Sequence, residues 1–119
     1  MLPIQISYHG VEPSDALSEL VRLRAAQLAR LSDRILSLRV VVEPPSHHHR
    51  HGHFSRVRIE ATLPGRELVV TPEADGIGED AYQSVRRAFD VLRRRVAETQ
   101  ARRQDRQRAH AQLRSIRRR

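Results

Sequence analysis

The chain contains no cysteine, no tryptophan and no lysine. Without cysteine it can form no disulfide, thiol nucleophile or zinc–thiolate site, which fits a reducing compartment. Two phenylalanines and two tyrosines are the only aromatics besides histidine. They are too few for a sheet that reads single strands by stacking on bases. No apolar run approaches the roughly 18 residues that cross a bilayer. The opening "MLPIQISYHG" lacks the basic flank, apolar centre and small-residue cleavage site of a secretory leader. A cytoplasmic address is therefore expected. A Gly-rich phosphate loop and a Ser-His-Asp order are also missing, and the acids are scattered. No enzyme activity, small-molecule substrate or cofactor is expected.

What the chain has instead is arginine. All 22 basic residues are arginine, and the net charge is +8. Arg93 to Arg119 holds eleven of them against Glu98 and Asp105, a local excess of +9, so residues 1–92 sum to −1. An excess gathered at one end is the footprint of a polyanion partner. The guanidinium fork also matches phosphate oxygens.

Hydropathy alternates with period two over 3–9, 34–43, 54–63 and 66–71, which predicts four strands. Ile4, Ile6 and Tyr8 share one side of the first. Leu36, Leu38, Val40 and Val42 share one side of the second, and Val57, Ile59, Ala61 and Leu63 one side of the third. Pro64-Gly65 marks a tight turn. A helix is expected over 15–31, capped by Ser14, with Leu17, Leu20, Val21, Leu28 and Leu31 as its stripe and Leu23 at the margin. A second helix begins near Glu79 or Asp80. The order β-α-β-β-β-α implies a parallel first pair followed by an antiparallel meander. Two helices cover one face of a four-stranded mixed sheet and leave the other wet. The expected fold class is a two-layer α+β sandwich.

On the second helix, Tyr82, Val85, Phe89, Leu92 and Val96 fall on one stripe at about 100° per residue. Arg87 and Arg94 lie nearly opposite. Arg86 and Arg93 flank the stripe on one side and Arg95 on the other. The core stops holding the helix near Val96, and Arg102 lies beyond that point. A salt-bridge-laced face would need acids four positions away, and only Asp90 and Glu98 qualify. A membrane-surface helix would need a free apolar face, and here the core takes it. Phosphate contact accounts best for this face. The first helix adds Arg22, Arg24 and Arg30. Arg24 falls within the apolar stripe, so it must snorkel to an edge, pair with Glu19 or Glu60, or meet RNA in the crevice between the helices.

Five of the seven histidines lie in "HHHRHGH", and His47, His49, His51 and His53 can project to one side of an extended loop. Such a cluster can bind zinc, nickel or copper. This makes a metal-binding protein one alternative, and a regulator with an acidic protein partner another.

The segments "IQISYHGVEPSDALSELV", "DRILSLRVVVE", "VRIEATLPGRELVV" and "EDAYQSVRRAFDVLRRRV" resemble the ribosome hibernation promoting factor family in its short form. That family is also described as ribosome-associated inhibitor or sigma-factor modulation protein. The resemblance implies a fold like that of double-stranded RNA-binding domains. It implies a monomer that binds the small ribosomal subunit and its ribosomal RNA, blocks the tRNA and mRNA sites, and inhibits translation in stationary phase or stress. By position it carries phosphate binding to Arg24, Arg30 and Arg94. Gln27 and Val91 stand where the family often has lysine, and Arg86, Arg87, Arg93 and Arg95 supply charge nearby. Residues 1–98 are expected to form the ribosome-binding domain. Residues 99–119 are expected to be an arginine-rich helical extension or tail, partly disordered. Metal analysis of tag-free protein separates the metal reading from the RNA reading: the latter expects well under one equivalent, and a stoichiometric ion would favour the histidine loop.

Overall fold

Alternation along each strand sorts its side chains to two faces, and pairing aligns those faces into rows. The structure, a computed structural model, describes residues 2–44, 55–71 and 80–117. Its elements are β1 (Ile4–Tyr8), α1 (Asp15–Leu31), β2 (Ser37–Glu43), β3 (Arg56–Leu63), β4 (Arg66–Val70) and α2 (Ala81–Arg117). Spatial order follows chain order, β1-β2-β3-β4. β1 and β2 run parallel, and the remaining pairs are antiparallel. The register aligns Ile6, Val40, Ile59 and Val70 in one transverse row and Ile4, Leu38, Ala61 and Leu68 in the next. The protein is thus the expected α+β sandwich, with a four-stranded mixed sheet and two helices.

Both helices pack on that apolar face, α1 over β1 and α2 over β3 and β4, and they touch each other. Leu17, Val21, Ala25 and Leu28 come down from α1, and Val85, Ala88, Phe89, Leu92 and Val96 from α2. Ala25 and Ala88 are fully buried, and their small side chains allow the layers to approach closely. Each strand–helix–strand reversal turns the chain around, so α1 and α2 run in the same direction. The bond from Gln100 Nε2 to Ser32 Oγ, 2.8 Å long, agrees, because it joins the end of α1 to the sixth turn of α2.

Local chemistry sets the element ends. Ser14 Oγ accepts from Leu17 N, and the Tyr8 hydroxyl donates to Ser14 O at 2.8 Å. The Tyr8 hydroxyl also lies 2.7 Å from Ser18 Oγ, so the exit of β1 is tied to the start of α1. Asp80 caps α2 reciprocally with Gln83: Gln83 N donates to Asp80 Oδ1, and Asp80 N to Gln83 Oε1. Gly65 sits at φ +69 in the hairpin between β3 and β4. Gly10, at φ +72, passes so close to Pro44 that a Cβ would lie 3.1 Å from its Cγ.

Several expectations need correction. Leu36 is 53% exposed and Ile35 is buried in its stead, because β2 begins only at Ser37. Leu31 and Leu23 are also exposed, so the α1 stripe is narrower than predicted and is completed by Ala25. Tyr82 shares the line of Phe89, but it lies in the first turn of α2, upstream of the core, and is exposed. Phe54 and the histidine loop lie outside the described residues.

Leu92 is fully buried beneath the part of α2 that packs on the core. Leu92→Ala is expected to cost about 2–5 kcal/mol. A denaturant titration checks this, and the midpoint should fall with the slope unchanged.

Candidate polyanion-binding surface

Where each arginine points follows from what its helix neighbours touch. On α1, Ser18 faces β1 through the Tyr8 hydroxyl. Arg22 lies about 40° from Ser18 around the helix, so it shares that outer flank. Arg24 lies on the opposite flank, which looks toward α2. It is half-buried there, one turn from half-buried Leu20. Arg30 stands on the crest of α1 and is exposed.

On α2, Gln100 reaches the C-cap of α1. Arg93 and Arg86 repeat its position at seven-residue intervals, so they border the seam between the helices. Arg94 and Arg87 stand on the crest, opposite the core. Arg95 lies on the far flank, with Arg102 one heptad further on the same line. Arg24, Arg86, Arg93, Arg94, Arg87 and Arg30 therefore form one band along the seam and its crests. Arg22 on one side and Arg95 and Arg102 on the other lie off it.

Among the described residues no carboxylate pairs with Arg24, Arg30, Arg86, Arg93 or Arg94. The ion pairs of the sheet lie on its opposite face. Arg39 pairs with Glu60 at 3.7 Å, Arg58 with Glu60 and Glu43 at 3.6 and 3.5 Å, and Arg56 with Glu43 at 3.9 Å. Glu60 is on the wrong side of the sheet to serve Arg24, so that predicted pairing is excluded. Among the described residues, Arg22, Arg24, Arg30, Arg86, Arg93, Arg94 and Arg102 have neither an ion pair nor a hydrogen bond from the side chain. Arg87, half-buried, is engaged within the fold. Arg95 has a structural contact: its Nη1 donates to Val69 O at 2.9 Å and caps a carbonyl on edge strand β4. The helical wheel could not foresee that partner, which lies in another element.

Sequence reasoning also missed the sheet-face network and the Gln100 tether. Charges alternating in register across β2 and β3 signal the first: Arg39 sits opposite Glu60, and Glu43 opposite Arg56. Among the described residues no cluster of histidine and acid side chains could hold a metal. His47, His49, His51 and His53 are outside that set. No described helix is long and apolar enough to cross a membrane.

Fold and surface define a class: a small α+β sandwich whose paired helices carry an arginine band while the ion pairs of the sheet lie on its far side. The chain belongs to the sigma 54 modulation protein / S30EA ribosomal protein family, whose model matches residues 4–104. Among solved structures it is similar to the N-terminal domain of Protein Y from Thermus thermophilus. The two are 27% identical, with a TM-score of 0.64 over 83% of this chain and 99% of that one. It also shares its fold with a ribosomal subunit interface protein from Coxiella burnetii, at 23% identity and a TM-score of 0.66 over 84% and 99% of the two chains. No curated protein matches the sequence.

Past Gln100 every described residue of α2 is exposed. Backbone protection from hydrogen exchange should therefore step down after Gln100. Gln100→Ala should move that step back to about Val96, as read by exchange mass spectrometry at peptide resolution.

Proposed function

We propose that the protein binds the small ribosomal subunit through ribosomal RNA phosphates, occupies the tRNA and mRNA sites, and silences translation in stationary phase or stress. Residues 1–98 make the contact without catalysis, and the protein acts in the cytoplasm as a monomer when off the ribosome. One observation carries this reading: Arg24, Arg86, Arg93 and Arg94 line the seam and its crest with no ion pair among the described residues, in a chain of this ribosomal protein family. Arg24 explains why the site lies along the seam. It is half-buried with an unpaired guanidinium, a state that favours an external counter-charge. Backbone recognition also fits the paucity of aromatics, because phosphate contacts need charge and shape but no stacking.

Co-sedimentation with purified small subunits tests the proposal. Affinity should fall with salt on a log–log slope of roughly −4 to −5.5, which corresponds to about six phosphate contacts at about 0.7 to 0.9 each. Arg93→Glu with Arg94→Glu should remove the protein from the subunit fraction and leave the unfolding midpoint within about 0.5 kcal/mol of the parent, as both sites are exposed surface. A flat salt response, or undiminished binding by the double variant, would refute the assignment.

A further inference from the structure

The apolar line of α2 does not stop at the edge of the core; it changes chemistry there. Val85, Phe89, Leu92 and Val96 recur at alternating spacings of three and four. The same line continues through Thr99 to Arg103, Arg106, His110, Arg114 and Arg117. Up to Val96 this face of the helix rests on the sheet. Beyond Gln100 the helix overhangs the body, and the face that was apolar is cationic. Arg103 to Arg117 spans about 21 Å of helix. The crest arginines Arg87 and Arg94 lie on the other side of the same rod.

Internal pairing does not explain this stripe. The only acid between 101 and 117 is Asp105, roughly 160° around the helix from Arg103, and no described ion pair involves it. The helix dipole favours Arg114 and Arg117 in the last turn. It gives no reason for Arg103 and Arg106, roughly three turns upstream. Like charges at three- and four-residue spacing oppose an isolated helix, whereas the alanine, glutamine and arginine of the arm favour it. The segment is thus a good helix former whose main cost is unneutralised charge, and a line of phosphates would relieve that cost.

We propose that residues 101–117 form a second, separable binding element, whose stripe of Arg103, Arg106, Arg114 and Arg117 grips the sugar-phosphate backbone of duplex RNA. The choice of RNA as the polyanion rests on the function proposed above; the existence of the stripe does not. Because this stripe and the crest of α2 face opposite ways, the rod can take phosphates on both sides, one set along its crest and one beneath the overhang.

The test measures binding of the full chain to a short blunt RNA duplex by fluorescence anisotropy between about 50 and 200 mM salt. Changing Arg103, Arg106, Arg114 and Arg117 together to glutamine should lower the magnitude of the log–log slope by about 3 to 4, at roughly 0.9 per lost contact. The unfolding midpoint should not move, since none of the four side chains touches the core. An unchanged slope would overturn the inference. So would displacement of the duplex by poly-glutamate at equal charge concentration, which would assign the arm to an acidic protein. The function proposed above fails by a different result, loss of small-subunit co-sedimentation by the unaltered chain, which leaves the slope difference on the duplex intact.

Discussion

The transverse row of Ile6, Val40, Ile59 and Val70 and the helix stripes laid over it are the contact on which the rest of the molecule depends. Burial of these side chains supplies most of the stabilisation available to a domain of this size. It also fixes where charge can go. Since both helices must sit on one face of the sheet, the strands' outward residues form a polar surface, and the helices' outward residues form another. Two strand acids, Glu43 and Glu60, point the other way. They are held there by Arg39, Arg56 and Arg58. The arginine band on the helices and the ion pairs behind the sheet are thus separated by strand parity as much as by composition.

That open face is less bare than a wet sheet would suggest. Val41 faces away from the helices, next to Ser7 and Arg58 in register, and is nevertheless fully buried. A ladder of arginine and glutamate across neighbouring strands supports the sheet from the side that the helices do not reach. Each pair is partly exposed and worth little alone.

The sequence made the sheet and helices legible because their period is written in large apolar residues. Ser14 and Asp80 announced the helix starts, since a capping side chain acts on its own neighbours. What the sequence hid depended on partners far along the chain or on small residues. Ala25 and Ala88 carry little hydropathy signal, yet both are fully buried. Arg95 was counted with the phosphate contacts because a wheel shows direction and not the carbonyl of Val69 in that direction. Leu36 and Tyr82 had the right parity or line, but they sit where the sheet or the core has not yet begun. The band itself was legible as a charge excess. Its boundaries, with Arg22 outside and Arg24 at the seam, required knowing which flank of each helix faces the other.

Because α1 and α2 run the same way, their peptide dipoles add instead of cancelling, as they would in an antiparallel pair. The carbonyl end of α1 presents about half a negative charge at Ser32. Gln100 docks there, and Arg103 follows one turn later. The point where the rod leaves the body thus carries a built-in anionic pole. The overhang's arginines thus begin within about one turn of a pole of opposite sign supplied by a neighbouring backbone.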